Sequence, residues 1–185
     1  MKRFLVEQCA PVLAGIKPGN LFPYRLQPEE ELWSLLELWN RKLEAKGVAL
    51  AAVKRCSLSG AYLIYVYRPV QVAAILAVPE VASFLRPYGY EPELTILQAL
   101  GLLTRRMCMQ ETFPHEVGIF LGYPLHDVQG FIQHGGRNSL CAGCWKVYAE
   151  PQKAQRLFRQ YRLCTQSYRA QFRRGRSVEQ LTVAA

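Results

Sequence analysis

At 185 residues and 21.1 kDa the chain has the length of one ordinary domain and is long enough to bury a core. Half of it is hydrophobic and 11% aromatic, which excludes a disordered chain, and the lack of any run of about 18 apolar residues argues against a membrane-spanning helix. The net charge of +9 is one-sided: residues 1–136 hold 13 basic and 12 acidic side chains, whereas 137–176 hold 10 basic ones against Glu150 alone.

The opening, Met1 to Pro11, has the look of an export signal, but Glu7 and Gln8 interrupt its apolar run, so a cytoplasmic protein is expected. Residues 2–14 read as a helix with Phe4, Leu5, Cys9, Val12 and Leu13 inward and Pro11 kinking or ending it. Residues 15–20 read as a loop, and they lack the glycine spacing and Lys-Ser/Thr ending of a phosphate-cradling P-loop. Pro28 with Glu29, Glu30 and Glu31 opens the next helix, whose inner stripe is Leu32, Leu35, Leu36, Trp39 and Leu43 and which Gly47 ends. The three acids suit the positive end of the helix dipole. Two strands follow at 48–53 and 61–67. The second is apolar on both faces, which predicts cover on both sides. Helices then open at Pro69, Pro79 and Pro92, the last running to Met107, apolar all round and so central.

Phe113–Ile132 is the densest stretch. Pro114 opens one helical turn with Val117, Phe120 and Leu121 inward, Gly122 ends it, and Pro124 restarts a helix whose stripe is Leu125, Val128, Phe131 and Ile132. The shape is helix–turn–helix, yet the positions left for base reading are His126, Asp127, Gln129, Gly130 and Gln133, with no Arg or Lys, so a packing corner is favoured over a DNA reader. Residues 145–148 predict a third strand. Pro151 opens a last helix with the stripe Ala154, Leu157, Phe158, Tyr161, Cys164, Tyr168 and Phe172, capped by Gly175. The expected fold is α+β: a small, mostly antiparallel three-stranded sheet (about 48–53, 61–67, 145–148) packed with about seven helices. It forms a single domain over 1–176, with 177–185 a frayed tail.

The sharpest chemical spacing is Cys141-Ala-Gly-Cys144. Two thiolates so placed can chelate one zinc ion, with His134 the first candidate for a further ligand and Cys164 and Cys56 behind it. No second such pair exists, and the pair precedes a strand where a thioredoxin-type site would follow one, so a turn with two incidental thiols is the plainer reading. Arg156, Arg159, Arg162 and Arg169 on the last helix form an anion-binding candidate. Nucleic acid is one partner for the basic 137–176 segment, and a solubilising helix face is the plainer alternative.

Three blocks carry a resemblance: Cys9 to Phe22, Phe113 to Pro124 with Asp127-Val128 and Gly130-Phe131-Ile132, and Trp145 to Tyr148 with Cys164. Together they resemble a bacterial family designated domain of unknown function thirty-seven ninety-three, found mainly in anaerobes. The likeness spans about residues 4–172. The resemblance implies iron or redox physiology, for which iron, haem and flavin are the cofactors to weigh beside the zinc suggested by Cys141 and Cys144, with a small molecule or a redox partner protein as partner. It also marks Cys9, Lys17, His115, Glu116 and Cys164 as the positions of a ligand site; Trp145 belongs to the same pattern. The leading expectation is an accessory protein that binds a small ligand or cofactor there. An enzyme pairing His115 with the thiol of Cys9 or Cys164 is a rival.

Overall fold

A computed structural model describes residues 1–184 apart from 27, 29, 58 and 110–112, and only the backbone of Glu30. The dipole role expected of Glu29 and Glu30 therefore lies outside the described side chains. In chain order the elements are α1 (Lys2–Leu13), β1 (Gly19–Tyr24), α2 (Glu30–Leu43), β2 (Ala49–Arg55), β3 (Tyr62–Tyr67), α3 (Pro69–Leu76), α4 (Pro79–Leu85) and α5 (Ile96–Met109). They continue as α6 (Val117–Phe120), α7 (Leu125–Gln133), β4 (Cys141–Ala142), β5 (Lys146–Val147), α8 (Pro151–Arg173) and α9 (Val178–Leu181). The fold is α+β, and among the described residues no single helix is long and apolar enough to cross a membrane.

The three-stranded sheet is antiparallel with β3 in the middle, in the order β1-β3-β2. Its central place explains the two apolar faces of β3. Ile64 and Val66 enter a core with Leu5, Leu13, Phe22 and Trp39, while Tyr65 and Tyr67 enter a second core with Val72, Leu103 and Phe120.

The third strand is not the one predicted. Gly19–Tyr24 takes the place assigned to 145–148, pairing Leu21 with Tyr65 and Phe22 with Ile64. Pro23 tells against a central strand but suits an edge, where its missing N–H faces away from the ladder. Residues 145–148 contribute only the short β5, which pairs back onto β4.

The C-terminal segment, expected to fray from residue 177, is tied down. Ser177 and Gln180 form a reciprocal capping box, Val178 and Leu181 are buried, and the Val183 N–H donates to the Leu13 carbonyl. The buried Arg68 completes this junction by donating to the carbonyls of Val12, Leu13, Lys46 and Val183. A guanidinium with five donors satisfies the open end of α1 and the chain terminus at once.

The corner also differs from a helix–turn–helix. α6 is a single turn, and α7 is rotated from the expected stripe: Asp127, Val128 and Gly130 are buried while Ile132 is exposed. Asp127 faces inward because its carboxylate accepts from the Trp145 indole N–H at 2.7 Å and from the backbone N–H groups of Tyr148 at 2.7 Å and Ala149 at 3.1 Å. That grip, more than strand pairing, fixes 145–149 against α7.

Candidate functional site

The loop after α1 and the Phe113–Ile132 corner meet directly. After α1 the backbone N–H groups of Ile16 and Lys17 both donate to the Pro11 carbonyl, so the chain turns sharply enough to bring Pro18 against Gly122. Gly122 has φ +75°, and a Cβ there would lie 2.3 Å from the Pro18 ring, so glycine is required on both counts.

This turn places Lys17 on the inner wall of an open hollow of about 980 Å³. The walls come from five places: Gln8 and Pro11 from α1, Lys17 and Asn20 from the loop and β1, Tyr123 from the corner, Cys144 from the β4–β5 turn, and one face of α8. The α8 face is Gln155, Arg159, Arg162, Gln166 and Arg169, alternating steps of four and three that hold one side of a helix. Among the described residues no Asp or Glu lines this hollow.

Lys17 is only 5% exposed. Its ammonium donates to Asn20 Oδ1 at 2.6 Å and stands 5.6 Å from the centre of the Tyr123 ring and 6.0 Å from that of Tyr161. Asn20 is held in turn by donating to the Gln8 carbonyl at 2.8 Å. Removal from water pulls the Lys17 pKa down to about 8, which the nearby Cys144 and Cys9 thiols oppose only in part. At neutral pH the hollow thus holds a mostly charged, poorly hydrated cation whose hydrogen-bond partner is a neutral amide. Burial raises the Tyr123 phenol to about 12 and also raises Tyr161, so both stay neutral.

Of the expected ligand set, only Cys9 and Lys17 are brought together. Cys9 is fully buried beneath the lysine, and burial pushes its thiol up to about 12, which leaves it protonated and unreactive. His115 turns to a different hollow, of about 450 Å³, where its ring packs on the edge of Phe131. Glu116 is buried in an ion pair with Arg106 and is spent on packing α5 against the corner. Cys164 is half-buried on α8, its thiol raised by burial, and it does not line either hollow. Neither Cys9 nor Cys164 shares the hollow of His115, so the thiol–imidazole pair is not assembled.

Cys141, Cys144 and His134 do not assemble either. The His134 ring stacks on Tyr148 at 5.5 Å, Cys141 packs beside Trp145 and Val147, and Cys144 lines the Lys17 hollow. Among the described residues no three His, Cys, Asp or Glu side chains are grouped to hold a metal ion. Of the anion candidates, Arg159, Arg162 and Arg169 line the hollow and Arg156 does not.

Residues 5–182 match the family described as Protein of unknown function (DUF3793). The chain belongs to this family. No curated protein and no solved structure matches it. The match to the family reaches through α9, in keeping with a C-terminal helix that is part of the packed fold.

Asn20, Tyr123 and Tyr161 were not singled out from the sequence. For Tyr161 the signal was present, since its place on the apolar stripe of α8 puts it beside whatever lies under Arg162. For Asn20 and Tyr123 no local pattern points to Lys17.

Proposed function

We propose that this protein binds a small anionic ligand in the Lys17 hollow, as an accessory binding protein. The observation that carries the reading is the buried Lys17 ammonium, partnered by an amide and two rings, in a hollow with Arg159, Arg162 and Arg169 along one wall and no carboxylate among the described residues. An anion entering there would meet a cation already stripped of water and fixed in place, the arrangement that makes charge-assisted hydrogen bonds strong. Guanidinium groups suit phosphate or carboxylate oxygens at the rim. Direct coordination of iron or zinc has less support, because no donor group of three is present among the described residues. A role in iron or redox physiology enters only through the identity of that ligand.

Titration calorimetry with inorganic phosphate tests this. The wild type should bind at pH 7 and weaken as pH rises through about 8, where Lys17 loses its proton. Lys17→Met should bind about tenfold or more weakly and show no such pH step. Binding that is unchanged in Lys17→Met, or absent from the wild type at pH 7, would refute the reading. A 20-nucleotide strand that binds with steep salt dependence and equal affinity to both proteins would favour the polyanion alternative instead.

A further inference from the structure

The hollow that holds His115 adjoins the Lys17 hollow, and the two share Tyr123, Ala142 and Gly143 as a common wall. Their chemistry is opposite. The His115 hollow is walled by Phe113, Val117, Leu121, Val128, Phe131 and the Trp145 indole. Two of its polar side chains are already engaged: Asp127 with Trp145 and two backbone N–H groups, and Lys146 with the Gly136 carbonyl. That leaves the exposed His115 and the remaining donors of the Lys146 ammonium as polar groups there among the described residues. A hollow of about 450 Å³ with mostly apolar walls is the size and character of a small-molecule pocket.

The dividing wall is thin and low. Tyr123 lies flat on Trp145, ring centres 4.9 Å apart at 27°, and its hydroxyl donates to the Cys144 carbonyl at 3.2 Å. The Lys17 ammonium stands 5.6 Å from the centre of the same Tyr123 ring, so ammonium and indole share that ring as a neighbour. Next to it the wall is backbone and one methyl group. Gly143 lies against Phe158 so closely that a Cβ would fall 2.3 Å from that ring, and Ala142 is exposed.

We propose that the two hollows form one bipartite site, and that its ligand is a flat apolar molecule carrying an anionic arm. The apolar body fills the space between Phe131 and Trp145, and the arm crosses the Ala142–Gly143 sill to reach Lys17. This rests on the anion reading of the Lys17 hollow and adds the body that the anion belongs to. Burial of the apolar part supplies affinity without direction, and the charged end fixes orientation.

Three probes separate the parts: 1-anilinonaphthalene-8-sulfonate, which is flat and anionic; N-phenyl-1-naphthylamine, the same rings without the sulfonate; and inorganic phosphate. The wild type should bind one anilinonaphthalenesulfonate, about tenfold or more tightly than the uncharged amine, with phosphate displacing the former and not the latter. Ala142→Phe places a ring on the exposed sill, which borders both hollows. It should weaken the sulfonate probe, which must cross the sill, about tenfold more than it weakens phosphate or the uncharged amine, each confined to one side. Circular dichroism together with the binding of the two half-probes shows that the variant is folded. Phosphate and the sulfonate probe bound together without competition, or a sulfonate affinity untouched by Ala142→Phe, would overturn the bipartite site and leave the anion reading standing. Failure of phosphate to bind the wild type at all would overturn both.

Discussion

Lys17→Met tests the physical basis of the site in the unliganded protein, with no assumption about the ligand. A lysine whose pKa is drawn from 10.5 to about 8 bears a desolvation cost of roughly 3 kcal/mol at neutral pH, at about 1.4 kcal/mol per unit. Methionine has a similar reach and no charge, so the substitution removes that cost. It also removes the hydrogen bond to Asn20, worth about 1 kcal/mol, and the contacts with Tyr123 and Tyr161, together worth about 1 kcal/mol. The variant is therefore expected to be more stable at pH 7 by about 1 kcal/mol, or roughly 3 °C in Tm for a chain of this length. A residue that serves only the fold would give the opposite sign.

The pH dependence is the sharper part. The folded pKa lies below the unfolded one, so between about pH 8 and 10.5 the unfolded chain binds more protons and stability contributed by this group rises with pH. The wild type should therefore gain on Lys17→Met by about 2 kcal/mol between pH 7 and pH 9.5. Urea unfolding of both proteins across that range measures the difference, and titrations common to both cancel. A variant that is less stable at pH 7, or a difference that does not move toward the wild type as pH rises, would refute the claim that Lys17 is a desolvated cation.

Other consequences follow from the packing. Arg68→Met should destabilise the protein by about 3 kcal/mol or more, because it strands buried carbonyls at Val12 and Leu13 and releases the one at Val183; limited proteolysis should then release the C-terminal segment first. Truncation after Arg176 should lower the urea midpoint markedly, since it removes the buried Val178 and Leu181, whereas a frayed tail could be cut without effect. Asp127→Ala should cost about 2–4 kcal/mol in urea unfolding and red-shift the emission of Trp145, which loses its indole partner. In thiol labelling with a bulky maleimide, Cys56, Cys108 and Cys144 should react in the folded protein while Cys9 reacts only on unfolding; rapid labelling of Cys9 in the native state would contradict its burial.

What could be read from the sequence was whatever local periodicity encodes. The stripe of α8 from Ala154 to Phe172 is the buried side as expected, because a period of 3.6 residues leaves little choice for a 23-residue helix. The two apolar faces of β3 likewise announced a strand covered on both sides, as the two cores against it show. β1 was hidden because Gly19, Asn20 and Pro23 are turn-forming types, and its pairing with β3, some forty residues away, overrides them. Asp127 was taken as exposed because nothing nearby in the sequence shows that the N–H groups of 148 and 149 come to meet it. The C-terminal helix was lost for the same reason, its partners being Leu13 and Arg68 at the far end of the chain.

The site shows the same limit in its most instructive form. A ligand site with both Lys17 and His115 needs the loop after α1 to meet the Phe113–Ile132 corner; the two do meet, through Pro18 on Gly122, but the residue delivered to Lys17 is Tyr123 and not His115. Across the left-handed turn at Gly122, Leu121 lines only the His115 hollow, while Tyr123 stands between the two hollows and reaches Lys17. The same contact explains why Lys17 stays buried when a lysine would ordinarily extend its ammonium to water. Its backbone N–H is bound to the Pro11 carbonyl, its neighbour Pro18 is wedged on the corner, and the Pro18 carbonyl accepts from the Arg68 N–H. With the chain pinned on both sides, the four-carbon stem runs between Tyr123 and Tyr161, and the charge ends where hydration is poor. The fold thus carries an unfavourable charge at one point, and among the described residues no carboxylate lines its hollow to relieve it. An anion supplied from outside would relieve it, which is why the destabilising lysine and the binding lysine are expected to be the same residue.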